Sequence, residues 1–159
     1  MKVLISACLL GINSRYDGKN KFDKDLLSFL IKNKIDFFPF CAEQLGGLTT
    51  PREPSETENG YSAQDVIEGR GRVLTKSGKD VTKNYIDGAN VILKFCKSID
   101  ITHAILAEKS PSCGYTKVYD GTFTGTLIEG NGILTQILKN NGIVIVKDIQ
   151  DLSRKSLTY

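Results

Sequence analysis

The chain has 159 residues, 40% hydrophobic and 25% charged, with a formal net charge of +3. This length and composition suit one globular domain, residues 1–159, that buries roughly two-thirds of its unfolded surface, and they exclude disordered and fibrous chains. The lysines are scattered among acids (Lys32, Lys34 and Asp36; Lys76, Lys79 and Asp80), the pattern of a solvated surface rather than of a nucleic-acid footprint. No stretch approaches the roughly 20 apolar residues of a membrane span.

Cysteines stand at positions 8, 41, 96 and 113. An even count permits disulfides, but a chain of this size does not need them and nothing else suggests secretion. The apolar segment before Cys8, Val3 to Ala7, is shorter than the roughly 7 to 15 residues of a signal-peptide core. Reduced thiols in a cytoplasmic protein are therefore expected.

Val3 to Ala7 predicts a first strand, followed by a loop from Cys8 through the Asp17-Gly18 turn. Asp23 is placed to cap a helix in which Leu26, Leu27, Leu30 and Ile31 recur at helical spacing and which ends near Asn33. Ile35 to Phe40 is again strand-like and delivers Cys41. Thr49 to Ser62, with Pro51, Pro54 and Gly60 and few apolar residues, reads as a long functional or mobile loop. Val66 to Thr75 and the Ser77-Gly78 turn suggest a short extended piece or small hairpin. Asp80 is then expected to cap a helix whose Tyr85, Ala89, Ile92, Phe95, Cys96 and Ile99 form an apolar stripe.

His103 to Ala107 predicts a buried strand running into Lys109-Ser110-Pro111-Ser112-Cys113-Gly114. A Gly/Thr-rich segment covers Tyr119 to Thr126. A helix from Ile133 to about Lys139 is stopped by Asn141-Gly142, Ile143 to Val146 forms a last strand, and a short helix follows Asp148. Strands alternating with helices imply an α/β fold, three layers around a mostly parallel sheet, Rossmann-like or flavodoxin-like.

Cys8, Cys41 and Cys113 each fall just past the last apolar residue of a predicted strand, so a parallel sheet is expected to bring them to one edge without any local CxxC motif. Three soft thiolates facing one space select zinc, copper(I) or an iron-sulfur cluster, whereas the bland alternative makes each a small buried hydrophobe. Cys96 belongs to the core face of its helix. His103 sits at the opposite end of its strand and reads as a core or edge histidine, which leaves the thiols without a histidine base and removes Cys-His and Ser-His-Asp mechanisms. Glu43, two residues after Cys41, is either a general acid or base or a charge at a helix start; Ser110 is either a proton relay or a turn residue.

Ser6-Ala7-Cys8-Leu9-Leu10-Gly11, Arg15-Tyr16-Asp17-Gly18, Cys41-Ala42-Glu43-Gln44-Leu45-Gly46-Gly47, Thr50-Pro51-Arg52, Asp80-Val81-Thr82, Lys109-Ser110-Pro111-Ser112-Cys113-Gly114 and Tyr119-Asp120-Gly121-Thr122-Phe123-Thr124-Gly125 together resemble the TudS-type thiouracil desulfidase family of short bacterial proteins. The resemblance spans nearly the whole chain. It implies a 4Fe-4S cluster held by Cys8, Cys41 and Cys113, with its fourth iron open to the sulfur of a thiolated pyrimidine such as 2-thiouracil or 4-thiouracil. It further implies non-redox, hydrolytic desulfuration in which Glu43 activates water or shuttles protons and Ser110 assists proton transfer. Some relatives carry a cysteine where this chain has Ser14, so a fourth protein ligand is not expected; Ala42 replaces a commoner proline. The competing expectations are a non-enzymatic iron-sulfur or zinc module for sulfur trafficking or sensing, and a metal-free thiol enzyme. The last is disfavoured by the missing base.

Overall fold

The structure is a computed structural model that describes residues 1–155, with side chains through Leu152. In chain order the elements are β1 (Lys2–Ser6), a 3-10 turn (Ala7–Leu10), α1 (Lys24–Lys32), β2 (Asp36–Phe40), α2 (Ala42–Leu45), β3 (Ser55–Thr57) and α3 (Ala63–Ile67). There follow β4 (Val73–Thr75), α4 (Thr82–Ser98), β5 (His103–Ile105), β6 (Lys117–Tyr119), β7 (Leu127–Glu129), α5 (Ile133–Asn140), β8 (Val144–Ile145) and α6 (Gln150–Lys155).

The central sheet is parallel, in the order β2-β1-β5-β8. Pro39 lies on β2, an edge strand, where its missing N–H breaks no ladder. The apolar residues of β1 alternate between two cores: Leu4 packs with the α4 and α5 side, while Val3 and Ile5 pack with Leu26 and Leu30 of α1 and Leu152 of α6. Ala104 and Ile105 of β5 divide in the same way. The sheet is thus buried on both faces, and the expected three-layer α/β arrangement holds.

The first helix starts as read, with the Asp23 carboxylate accepting from the Leu26 N–H at 2.9 Å, a cap that contributes about 1 kcal/mol. At α4 the cap residue is Val81 rather than Asp80. Asp80 turns back one step earlier, accepting from both the N–H and the hydroxyl of Thr82. The stretch read as extended from Val66 begins instead inside a short helix. Ser62 and Asp65 form a reciprocal capping box at the start of α3, and the chain becomes extended only at Val73.

Leu74 bridges Asp80 antiparallel across the Ser77-Gly78 turn, as the expected small hairpin would, and two antiparallel strand pairs stand outside the sequence reading. β3, inside the stretch read as a loop, pairs with β4, and β6 pairs with β7 around the Gly/Thr-rich segment. Each of these strands is only three residues long, too short for a period of two to stand out.

The short α2 is pressed onto α4. A Cβ at Gly88 would fall 1.9 Å from the Ala42 carbonyl oxygen, so this approach exists only because position 88 has no side chain. The Asn84 side chain donates to the Gly46 carbonyl at 2.8 Å and closes the same contact. This seam fixes the orientation of α2, whose first turn carries Glu43.

Candidate functional site

The carboxyl ends of β1, β2 and β5 open into a cavity of about 380 Å³, within the roughly 300–1,000 Å³ of small-molecule sites. Its walls include Cys8, Cys41 and Cys113, and also Glu43 and Ser110. The five residues singled out from the sequence therefore share one space. Cys96 is fully buried in the core and lies apart from it, and His103 begins β5 at the sheet's other end, its Nδ1 within 2.8 Å of the Thr102 hydroxyl. All four cysteines are free thiols.

Each thiol is delivered differently. Cys8 sits in the 3-10 turn directly after β1, and Cys41 is the extended residue that starts α2. Cys113 lies eight residues past the end of β5, in a loop that the chain fixes thoroughly. The Ser110 hydroxyl oxygen accepts from the N–H groups of Ser112 and Cys113, each at 3.1 Å, and the Ser110 carbonyl accepts from Gly114 N–H at 2.9 Å. The start of α5 grips the same loop. N–H groups of Gly132, Ile133 and Thr135 donate to the carbonyls of Gly114, Pro111 and Ser112, and the Thr135 hydroxyl donates to the Cys113 carbonyl at 2.8 Å. Orphan donors of a helix N-terminus and carbonyls of a turn thus satisfy each other. Glu108 accepts from the N–H groups of Tyr115 and Thr116 and holds the loop's far side.

Burial pushes the Cys113 thiol up to about 12, a hydrogen bond from Ser6 pulling the other way. Burial also raises the Cys8 thiol, with the charge of Lys21 opposing it. Cys8, Cys41 and Cys113 lie within electrostatic reach of one another. The Cys41 sulfur also stands 3.6 Å from the Ser14 carbonyl oxygen. Among the described residues no three Cys, His, Asp or Glu side chains converge closely enough for a single metal ion. The thiols ring a space rather than meet at a point.

Glu43 is 8% exposed and ion-paired. Arg52 bonds its Oε2 through Nε at 2.6 Å and Nη2 at 2.5 Å. The same guanidinium donates to the Ser14 carbonyl at 2.8 Å, the Thr49 carbonyl at 3.2 Å and the Thr50 hydroxyl at 3.1 Å. Tyr85, 1% exposed on α4, has its phenol beside Glu43 and Ser55; burial first and the Glu43 charge second hold that phenol well above its usual range. Glu43 is thus no simple helix-start charge but the centre of a buried polar network.

Arg52, Tyr85 and Ser6 are site residues that had been given no role from the sequence. Ser6 accepts from the Ala107 N–H at 2.9 Å, which ties the ends of β1 and β5 together, and its hydroxyl lies near enough to Cys113 to oppose the rise of that thiol. Tyr85 was hidden in the apolar stripe of α4. Arg52 carried a signal, since it is the cation of a loop otherwise rich in acids, but its partner lies nine residues upstream in the chain.

Ser112 adds a further feature. Its hydroxyl oxygen is buried at the cavity wall and, among the described residues, has no hydrogen-bond partner. A buried hydroxyl without a partner costs free energy, so it marks a donor for which this chain supplies no acceptor.

Residues 3–150 match the family described as 2-thiouracil desulfurase. A Bacillus subtilis (strain 168) protein, the uncharacterized YbbK, is 38% identical over 146 residues, covering 92% of this chain and 95% of the relative. A solved structure of the 4Fe-4S-dependent thiouracil desulfidase TudS superposes with a TM-score of 0.83 at 36% identity, covering 97% of this chain and 96% of that one.

Proposed function

The chain belongs to the 2-thiouracil desulfurase family, and from that premise we propose that it is an iron-sulfur-dependent desulfidase that exchanges the sulfur of a thiolated pyrimidine for oxygen. The observation that carries the reading is the meeting of Cys8, Cys41 and Cys113 with Glu43 and Ser110 in one cavity at the sheet's carboxyl edge.

The three thiols fit a 4Fe-4S group. One zinc ion needs its sulfurs about 2.3 Å from a common centre, whereas thiols set round a cavity suit a polynuclear group that occupies its middle. The partnerless Ser112 hydroxyl fits too, because cluster sulfurs accept hydrogen bonds. Cys8, Cys41 and Cys113 would hold the group, and the thiol protons that burial retains would leave on binding. When bound, it supplies a Lewis-acidic iron open to the substrate sulfur, which draws electron density from the thiocarbonyl carbon.

The net reaction converts the thiocarbonyl and one water into a carbonyl and hydrogen sulfide, with no electron gained or lost. A water that attacks the carbon must lose its protons, and Glu43, a carboxylate in the wall that also carries Cys8, Cys41 and Cys113, would take one. Arg52 and Tyr85 fix where that carboxylate points. Ser110 uses both acceptor lone pairs on the Ser112 and Cys113 N–H groups, so what it offers the cavity is its hydroxyl proton. That suits it to donate toward the departing sulfur or a substrate ring atom. A small-molecule substrate in a cytoplasmic, thiol-preserving setting is consistent with free cysteines throughout. Among the described residues no helix is long and apolar enough to cross a membrane.

The test is sulfide release from 2-thiouracil and 4-thiouracil by protein reconstituted with iron and sulfide without oxygen. Stoichiometric sulfide and uracil support the reading, and Glu43→Gln should reduce turnover by roughly 100-fold or more. A loaded protein that turns over neither base contradicts it.

A further inference from the structure

Glu56, on β3, is 7% exposed, and its carboxylate has no part in the Glu43 network or, among the described residues, in any ion pair. Its Oε2 accepts two backbone N–H groups of the loop between β6 and β7, Gly121 at 2.9 Å and Phe123 at 3.1 Å. Asn59 donates to the Asp120 carbonyl at 2.8 Å beside them. The loop lies flush on the end of β3, since a Cβ at Gly121 would fall 2.4 Å from both the Thr57 oxygen and the Asn59 nitrogen. Loop and hairpin are docked by three separate contacts.

That docking carries one apolar side chain. Between Asp120 and Thr126 the loop is otherwise Gly, Thr and Asp, and the hydroxyls of Thr122, Thr124 and Thr126 bond to one another in sequence. Phe123 has φ +56°, a left-handed conformation uncommon for a bulky residue that persists where the surroundings impose it. Here the bond from its own N–H to Glu56 imposes it. Phe123 belongs to neither apolar core, yet it lines the cavity that holds the three thiols. A ring kept out of the core, in a strained backbone, by a buried carboxylate, is placed for something that enters the cavity.

We propose that Phe123 is the stacking platform for the flat ring of the substrate and that Glu56 is the positioning residue that holds it there. The inference rests on the reading of the cavity as a thiopyrimidine site. Aromatic faces stack on any nucleobase, a contact worth roughly 1–3 kcal/mol per base by alanine substitution, or about 10- to 100-fold in affinity. Both loop bonds fall on one oxygen of Glu56, so the amide oxygen of a glutamine can accept them in its place.

The test uses anaerobically loaded protein carrying Phe123→Ala, Glu56→Ala, Glu56→Gln or the double alanine change. It measures the Kd of uracil by equilibrium titration beside kcat and KM for 4-thiouracil. Phe123→Ala should raise both Kd and KM about 10- to 100-fold with kcat within about threefold of wild type. Glu56→Ala should move the same constants, Glu56→Gln should stay near wild type, and the double variant should be no worse than Phe123→Ala alone. Wild-type Kd and KM in Phe123→Ala overturn the proposal even if Glu56→Ala fails to fold. A Glu56→Gln loss that falls on kcat with KM and Kd unmoved assigns Glu56 to the chemistry and overturns its positioning role. If wild-type protein neither binds uracil nor releases sulfide, the substrate reading itself fails and this inference with it; turnover with an indifferent Phe123 sinks this inference alone.

Discussion

Removing the guanidinium of Arg52 while keeping its aliphatic bulk, as in Arg52→Met, should destabilise the metal-free protein by about 3–5 kcal/mol, the usual cost of stranding one member of a buried ion pair. The structure makes this site a demanding case. The side chains of Arg52 and Glu43 are 8% and 10% exposed, so water cannot replace the lost partner without opening the site. The carbonyls of Ser14 and Thr49 lose their donor in the same step. For a chain of this length such a loss lowers Tm by roughly 6–20 °C. Urea unfolding of the reduced, metal-free protein reads it as a fall in midpoint at constant slope. Glu43→Gln, made in the Arg52→Met background, removes the stranded charge and should return part of the loss, so that the double variant lies about 1–3 kcal/mol above the sum of the singles. A loss below about 1 kcal/mol in Arg52→Met, or strict additivity in the cycle, would refute the buried network.

Gly88→Ala should push α2 off α4, because a new methyl would lie 1.9 Å from a backbone oxygen that cannot rotate away. A cost of at least about 1–3 kcal/mol in urea unfolding is expected, together with weaker iron uptake through displaced Cys41; unchanged stability and uptake would show the seam to be loose. Burial holds the Cys96 thiol up to about 11, from 9.0, so the fold favours its protonated form. Its contribution is full below pH 9 and is lost as pH rises towards 11. Metal-free wild type should therefore lose stability relative to Cys96→Ala across that window, and parallel curves would show the thiol ionises as freely when folded.

The three-thiol edge was legible in the sequence because parallel strands bring their carboxyl ends together whatever their separation in the chain. Val3 to Ala7 and Ile35 to Phe40 announced themselves as apolar runs, and each ended beside a cysteine. What the sequence concealed was who holds whom. Arg52 and Glu43 meet because the long segment after α2 folds back, and no local periodicity records that return. Tyr85 sits at a core position of α4, where its hydroxyl is invisible to an apolar count. β3 and β4 are three residues each, and their pairing brings Glu56 to a loop 65 residues further along the chain, a partnership set by tertiary packing alone. Ser62 and Asp65 carry the signature of a capping box, but the apolar residues of α3 span little more than one turn, too few to mark a helix by period.

The central claim is that Cys8, Cys41 and Cys113, and not Cys96, hold a four-iron, four-sulfur group. Iron and acid-labile sulfide counted per chain after anaerobic reconstitution test it most directly, in wild type and in the four single cysteine-to-alanine variants. The account predicts about four of each in wild type and in Cys96→Ala, and a clear loss in Cys8→Ala, Cys41→Ala and Cys113→Ala. Full loading of Cys113→Ala, or about one zinc per chain with no labile sulfide in the wild-type protein, would contradict it.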